Sequence, residues 1–136
     1  QLLKFNTKQK QLLQTAENNI SNVILLSGIG DSKSFYQLSM NYSKNIIKEI
    51  KLADHYNYNK NIKLVKSKLL NNSLDCSSTS IIITLKDFIK INPLLQSSYS
   101  FILTDFSSLY VLDIKHELKN SQLLKQEVLK AVKIEA

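Results

Sequence analysis

Two short runs of the chain are so apolar that they constrain its fold more than any other feature. VILLS (23–27) and SIIIT (80–84) consist largely of Val, Leu and Ile, and no polar residue interrupts their apolar stretches. Such runs are typical of strands that are buried on both faces, as in the parallel sheets of α/β proteins. Because parallel neighbours need crossover connections, we expect helices between the strands.

The segment between these two runs predicts a helix, a strand and a second helix in turn. After VILLS, Asp31 or Ser32 can cap a helix of about three turns. The apolar side of this helix would carry Phe35, Leu38, Met40 and Tyr42. NIIKEIKLAD (45–54) then predicts a second strand, and YNYNKNIKLVKSKLLNN (56–72) predicts a second helix with lysines on its outer side.

The remaining segments complete the predicted order of elements. Residues 1–20 indicate a strand end followed by a loop or short helix, and NNSLDCSSTS (71–80) is a loop by composition. The predictions for the carboxyl-terminal half are a short helix or turn closing near Pro93 (85–96), strands in YSFILTDF (99–106) and LYVLDIKHEL (109–118), and a final helix capped by Ser121 (121–133).

The predicted fold class is α/β. We expect one domain over residues 1–136, with a Rossmann-like three-layer α/β/α architecture and a mostly parallel sheet of about four or five strands. No apolar run approaches the roughly 18 residues of a membrane span, and the first residues lack the features of a signal peptide. The chain begins with Gln1 rather than Met, so we expect it to be the tail of a longer polypeptide.

The formal net charge of +7 has two interpretations. All 18 basic residues are lysines, and they are scattered along the chain. They can be the solvated faces of helices, or they can attract nucleic acid or an acidic membrane surface diffusely. Because no aromatic ladder or zinc-finger spacing accompanies them, we predict no specific nucleic-acid partner. The single cysteine, Cys76, excludes an internal disulfide and a cysteine-based metal cage, and we predict no metal site in this chain.

Three polar segments follow the predicted strands directly. They are SGIGDS (27–32), ADHYNY (53–58) and TLKD (84–87). In an open parallel sheet, ligands bind at the carboxyl ends of the strands, where the chain turns into helices. We therefore expect these segments to share one edge of the sheet, which we call the rim.

The only two glycines of the chain, Gly28 and Gly30, lie in the first rim segment. They would allow left-handed backbone angles and a close approach of the backbone to a partner, or they simply permit a tight turn or packing contact. A dinucleotide-binding fingerprint would require a third glycine where Lys33 stands, and the chain has no GxxxxGK[ST] motif. The segment is therefore not a recognised phosphate-binding loop.

The other two rim segments carry the reactive side chains. His55 can exchange a proton near neutrality if a carboxylate orients it, or it is an ordinary surface histidine. Because adjacent residues at a strand end point to opposite sides, Asp54 is not the expected partner. In TLKD, Lys86 can meet an anionic group just beyond the strand; alternatively, Asp87 caps the next helix and Lys86 is solvated. His116 has no comparable context.

The three segments together resemble a known enzyme family. GIGDSKSF (28–35) resembles a GIGNPxxF turn, LADHYNY (52–58) resembles FPDHHxF/Y, and ITLKDFIKI (83–91) resembles TTEKDAVRL of the tetraacyldisaccharide 4'-kinases of lipid A biosynthesis. LYVLDIKHEL also resembles the strand with which that family ends. Leu85 stands where the family has Glu, and Lys90 where it has Arg.

The resemblance implies a kinase that transfers the γ-phosphoryl group of ATP, with Mg²⁺, to the 4'-hydroxyl of a tetraacyldisaccharide 1-phosphate. This chain resembles only the carboxyl-terminal lobe, so ATP and Mg²⁺ would be bound mainly by an amino-terminal P-loop lobe of the same polypeptide. The implied partners are that lobe, the lipid A precursor and the cytoplasmic surface of the bacterial inner membrane. By itself the lobe would be inactive.

The resemblance also implies roles for particular residues. His55 and Asp54 would be catalytic, with His55 pairing with a carboxylate of the other lobe. The residues expected to line the cleft are Gly28, Gly30, Asp31, Thr84, Lys86 and Asp87. Two alternatives are a free-standing Rossmann-like module that binds a nucleotide or another anion without catalysis, and a lysine-rich protein that binds nucleic acid or anionic lipid without specificity.

Overall fold

One six-stranded sheet organises the computed structural model, which describes residues 1–70 and 73–114. The strands are β1 Leu2–Asn6, β2 Gln11–Gln14, β3 Val23–Ser27, β4 Ile46–Lys51, β5 Ser80–Thr84 and β6 Leu109–Leu112. Their order across the sheet is β2-β1-β6-β5-β3-β4. The four strands from β6 to β4 are parallel, whereas β1 pairs antiparallel with both β6 and β2.

In the described part of the chain, four α-helices cover the two faces of this sheet. They are α1 Ser32–Ser39, α2 Ile62–Leu69, α3 Leu85–Ile91 and α4 Phe101–Asp105. On one face, Phe35 of α1 packs into a buried cluster with Leu25 and Ile82. On the other face, α2, α3 and α4 pack against Ile24 and Ile83. The predicted three-layer α/β/α architecture is therefore confirmed.

The central strands are as apolar as they are because both of their faces are covered. Every residue of β3, β5 and β6 is buried. Successive side chains of a strand point to opposite faces, so Ile24 and Leu25 enter different clusters. The predicted strands at VILLS and SIIIT are confirmed, as is the strand within NIIKEIKLAD.

The amino-terminal segment differs from its prediction. Residues 1–20 contain a β-hairpin, β1 and β2, instead of a strand end followed by a loop or short helix. Lys10 adopts a left-handed φ of 56° at the hairpin turn, where glycine or asparagine would be the usual signal. This hairpin raises the strand count to six, above the four or five predicted.

The prediction of a strand at YSFILTDF is wrong, because Phe101–Asp105 forms α4. Phe101 and Ile102 are buried against the sheet. A short apolar run does not distinguish a buried strand from one turn of a buried helix. The chain must also cross from β5 to the parallel strand β6, and the helices α3 and α4 lie in that crossover.

Helix α1 is shorter than predicted. It has eight residues and ends at Ser39. Of the apolar residues predicted for it, Leu38 is 37% exposed, and Met40, just past the helix end, is 55% exposed. The chain turns away at once, because the backbone N–H groups of Asn41 and Tyr42 donate to the carbonyls of Leu38 and Ser39. The predicted cap is confirmed: the side chain of Asp31 accepts a hydrogen bond from the Ser34 N–H at 3.1 Å.

The other helix predictions can be compared with the described residues only in part. The second helix is confirmed as α2, and the short helix before Pro93 is α3 followed by a 3₁₀ turn, Asn92–Leu94. Within the segment predicted as a loop (71–80), Cys76–Ser78 forms a 3₁₀ turn and Ser80 begins β5. His116, Ser121 and the predicted final helix lie outside the described residues. None of the helices described is long and apolar enough to cross a membrane.

The topology opens the sheet at one position. Strands β3 and β5 are neighbours, but β3 leads into α1 on one face and β5 leads into α3 on the other. Loops that diverge from adjacent parallel strands leave a crevice at the carboxyl ends of those strands, and such crevices are where α/β proteins bind ligands. The fold therefore places the rim at the position where a site is expected.

Phe35→Ala should lower the free energy of unfolding by about 3–5 kcal/mol, because the ring is fully buried between α1 and the sheet. Met40→Ala is the matched control at an exposed position near the end of the same helix, and its effect should stay within about 0.5 kcal/mol. Urea unfolding followed by circular dichroism measures both values. Equal losses for the two variants would contradict the packing of α1 described here.

Candidate functional site

The three polar segments of the rim are in direct contact. The Leu52 N–H donates to the carbonyl of Ser27 at 2.7 Å, which fixes the end of β4 beside the end of β3. Side chains of the TLKD segment reach both neighbours, since Asp87 accepts from the Gly28 N–H at 2.9 Å and Lys86 donates to Asp54 at 3.2 Å. The structure thus brings together the segments after β3, β4 and β5.

Asp87 is the centre of this arrangement. Its side chain is fully buried, although it belongs to the first turn of α3. One carboxylate oxygen, Oδ2, accepts from the Gly28 N–H and from the hydroxyl of Thr84, while Oδ1 accepts from the hydroxyl of Tyr58 at 2.9 Å. Burial of a carboxylate is expensive unless donors surround it. Three donors from three segments meet that requirement.

The alternative in which Asp87 caps the next helix is wrong. Thr84 is the cap of α3: its hydroxyl oxygen accepts from the backbone N–H of Asp87 at 3.1 Å. The same hydroxyl donates a hydrogen bond to the Asp87 carboxylate. Thr84 therefore begins the helix and holds the carboxylate at the same time. The Asp87 carboxylate therefore binds the backbone of Gly28 instead of capping its own helix.

Tyr58 was not singled out from the sequence. Its ring is buried, and burial together with the adjacent negative charge of Asp87 raises the pKa of its hydroxyl well above the ordinary value. The hydroxyl therefore stays protonated and acts as a donor. Tyr99, also buried, donates to the carbonyl of Tyr58 at 2.6 Å. Because Asp87 is 29 positions from Tyr58, no local sequence pattern links the two residues.

The two glycine positions differ in whether the surrounding structure requires glycine. The expectation of left-handed angles is wrong, because neither Gly28 nor Gly30 has a positive φ. A Cβ atom at Gly28 would lie 3.0 Å from Asp87 Oδ1 and 3.1 Å from the carbonyl oxygen of Ala53, so a close approach of three segments requires glycine there. At Gly30 a Cβ atom would meet nothing within 4 Å.

Asp54 and Lys86 form the exposed part of the rim. Lys86 Nζ donates to Asp54 Oδ1 at 3.2 Å, with the Asp54 side chain about half exposed. This hydrogen bond from Lys86 lowers the pKa of Asp54 below its ordinary value. Of the two interpretations of Lys86, the structure supports contact with an anionic group, and that group belongs to the neighbouring segment of the same chain.

His55 lies in a turn rather than on a strand. Strand β4 ends at Lys51, and His55 adopts a left-handed φ of 59°. The expectation that Asp54 and His55 point apart is therefore wrong: His55 Nε2 is 3.7 Å from Asp54 Oδ2. The imidazole remains 82% exposed. Asp54 thus contacts Lys86 and His55 together, and the opposite side of the histidine ring is accessible to another molecule or domain.

The residues that the structure describes do not form a magnesium site. Within residues 1–70 and 73–114, no group of three or more His, Cys, Asp or Glu side chains is arranged to hold a metal ion. The three rim carboxylates are already engaged, Asp31 as the cap of α1, Asp54 by Lys86 and Asp87 by its three donors. The rim of the described chain therefore offers positioning groups and a histidine, but no metal ligand set.

Comparison with known proteins agrees with the motifs at the rim. The family model described as "Tetraacyldisaccharide-1-P 4'-kinase" matches residues 2–133. The match includes all three rim segments and every strand described above. No curated protein and no solved structure shows significant similarity to the chain.

Gly28→Ala should lower the free energy of unfolding by about 1–3 kcal/mol, because the added Cβ atom would press on buried Asp87 and on the backbone of Ala53. Gly30→Ala is the matched control. Its φ is not left-handed and its surroundings are open, so it should be neutral or stabilising by up to about 1 kcal/mol. Equilibrium denaturation separates the two, and a tolerated Gly28→Ala would contradict the close approach.

Lys86→Met should raise the pKa of Asp54 toward its ordinary value, because it removes the hydrogen bond that lowers that pKa. The lowered pKa means that this ion pair stabilises the fold at neutral pH, and that its contribution is lost as the pH falls through the pKa of Asp54. Carboxyl-detected NMR titration measures the shift. Lys63→Met, which removes the same charge from an exposed position, should leave the Asp54 titration unchanged.

Proposed function

Because the chain belongs to the tetraacyldisaccharide-1-P 4'-kinase family, we propose that it forms the carboxyl-terminal lobe of a kinase of lipid A biosynthesis. The complete enzyme would transfer the γ-phosphoryl group of ATP to the 4'-hydroxyl of a tetraacyldisaccharide 1-phosphate. The proposal rests above all on one observation: the segments that carry the family motifs meet at the carboxyl ends of β3, β4 and β5, where an α/β sheet binds its ligands.

His55 is the proposed catalytic residue. Its imidazole is exposed, and one side of it faces Asp54. A carboxylate of the amino-terminal lobe would accept the proton of the sugar hydroxyl as that oxygen attacks the γ-phosphorus. His55 would hydrogen-bond to this carboxylate, orient it and stabilise it after proton transfer. Positioning and charge stabilisation supply most of the rate in phosphoryl transfer, so this contribution is one of several.

Asp54 is the residue that positions His55. Its carboxylate is anchored by Lys86 on α3 and lies within 3.7 Å of His55 Nε2. Because Lys86 belongs to α3, this helix fixes the Asp54 carboxylate, and with it the neighbouring imidazole, relative to the sheet. Gly28 and buried Asp87 hold the end of β3 against the same helix. These residues would shape the cleft without binding the triphosphate.

The remaining components would come from outside this chain. The P-loop lobe would hold ATP and Mg²⁺, which supply the phosphoryl group and neutralise its charge. Most lysines of the described residues are exposed, and they would favour an anionic surface, which supports the proposed peripheral position on the cytoplasmic side of the bacterial inner membrane. The free-standing anion-binding module stays the alternative, since the rim could serve either function.

In the complete polypeptide, His55→Asn should lower kcat by about 10²-fold or more, because a positioned acid–base group contributes about that much. Asparagine is chosen because it tolerates the left-handed φ of 59° better than alanine, so folding should be preserved. The measurement is transfer of ³²P from labelled ATP to the tetraacyldisaccharide 1-phosphate. Lys60→Gln, an exposed position five residues away, is the control and should retain full activity.

Two outcomes would contradict the proposal in different ways. Full activity of His55→Asn would remove the role of this histidine but leave the kinase assignment intact. A complete polypeptide without any GxxxxGK[ST] motif and without phosphoryl transfer would remove the assignment itself. Saturable binding of ATP to this chain alone in calorimetry would favour the free-standing module.

A further inference from the structure

A cavity of about 380 Å³ opens beside the rim. Residues 55–59 form one wall, and Lys90 with Leu94 forms the other. The first wall is the loop that leads into α2, and the second is the end of α3 with the 3₁₀ turn that follows it. His55 therefore belongs both to the rim and to this cavity.

Two residues that line this cavity carry polar groups without partners. Lys90 Nζ and the hydroxyl of Tyr56 are buried from solvent, and neither has a hydrogen-bond partner in the described part of the chain. Buried polar groups in folded proteins are nearly always paired, and an unpaired ammonium group is the more costly of the two. The fold of residues 1–70 and 73–114 gives no reason for this arrangement.

The nearby carboxylates do not compensate Lys90. Asp54 is bound by Lys86, and Asp87 is enclosed by Gly28, Thr84 and Tyr58. No acidic residue is among the described residues that line the cavity. A lysine in the last turn of α3 is favoured by the helix dipole, but that explains its presence at the helix end and not the burial of its Nζ without a partner.

The available groups define the chemistry of a ligand. Lys90 Nζ and the Tyr56 hydroxyl are donors, and the imidazole of His55 can offer another N–H. A ligand that satisfies an ammonium group and two further donors must be an anion with several acceptor oxygens, which describes a phosphate group. A volume of about 380 Å³ lies at the small end of the range for ligand pockets, so it would hold the phosphate and part of the molecule attached to it.

We propose that this cavity binds a phosphate group through Lys90 and Tyr56, beside His55. The site goes beyond the phosphoryl transfer proposed above, and its test needs only this chain. The phosphate could belong to a nucleotide or to a phosphorylated sugar, because the three donors recognise the oxyanion that both share. The test measures phosphate binding and not phosphoryl transfer. The absence of a phosphate site would therefore not contradict the proposed kinase reaction.

The experiment titrates inorganic phosphate into the chain at constant ionic strength, with ¹H–¹⁵N NMR shifts as the readout. We expect one saturable site with shifts centred on residues 55–59 and Lys90. Lys90→Met should weaken the affinity about tenfold, since it removes a charge-assisted hydrogen bond and keeps the side-chain length. Tyr56→Phe should weaken it severalfold, and Lys63→Met, with the same loss of charge on exposed α2, should leave it unchanged.

A second measurement separates binding from folding. If Lys90 is retained for a ligand, Lys90→Met should have a Tm no lower than that of the unmodified chain, because it removes an unpaired buried ammonium group. Equal phosphate affinities for Lys90→Met and Lys63→Met, or the absence of a saturable site, would overturn the proposal. If Lys90→Met fails to fold, the affinity of Tyr56→Phe decides: an unchanged affinity overturns the proposal.

Competition then assigns the source of the phosphate. ADP and glucosamine 1-phosphate are each titrated against the phosphate-loaded chain. Displacement by ADP with an affinity that falls about tenfold in Lys90→Met supports a nucleotide site, and the same result with glucosamine 1-phosphate supports a sugar-phosphate site. Displacement that is equally strong in Lys90→Met would overturn the proposed role of this lysine.

Discussion

The buried carboxylate of Asp87 is the contact on which the geometry of the rim depends. It accepts hydrogen bonds from the backbone after β3, from the last residue of β5 and from the loop before α2. These segments are far apart in sequence, and backbone pairing in the sheet fixes only the strands, not the loops beyond them. Removing the Tyr58 hydroxyl would leave Oδ1 of this buried carboxylate without its hydrogen-bond donor, which costs more than the hydrogen bond itself contributes.

Around this contact the rim is divided into a buried part and an exposed part. Asp87, Thr84 and Tyr58 are almost inaccessible to solvent, whereas Asp54 and His55 are exposed. The buried group keeps the segments in place, and the exposed group is available to chemistry. Lys86 connects the two, because it stands beside Asp87 on α3 and reaches Asp54 across the crevice. A catalytic side chain held in this way can face a second lobe without being buried in the first.

Much of the fold could be predicted from the sequence, and the errors have specific physical causes. VILLS and SIIIT were unambiguous because strands covered on both faces must be apolar throughout. Phe101–Asp105 was predicted as a strand because one turn of a buried helix has no detectable period. The sequence did not predict the hairpin β1–β2, because its turn has Lys10 at a positive φ instead of glycine or asparagine.

The functional site could also be predicted only in part from the sequence. The motifs located the rim, since strand ends are visible in the sequence and the carboxyl ends of parallel strands share one edge. The sequence did not indicate which side chains would pair across that edge. The contact of Tyr58 with Asp87 spans 29 positions, and the contact of Asp54 with His55 depends on a left-handed φ at a residue other than glycine, which is uncommon.

The two lysines of α3 show how the same residue type acquires different functions within one turn. Lys86 and Lys90 are four positions apart, so they lie on the same side of the helix. Lys86 donates a hydrogen bond to Asp54, and this contact anchors the loop that carries His55. Lys90 lines a cavity together with residues 55–59 of that loop. No carboxylate is among the described residues that line it, and the Lys90 Nζ is buried without a partner. A fold selected only for stability would favour an apolar side chain there, because removing an unpaired buried charge stabilises a protein. Retaining the ammonium group is consistent with selection for a bound anion, and it places that anion beside the exposed imidazole.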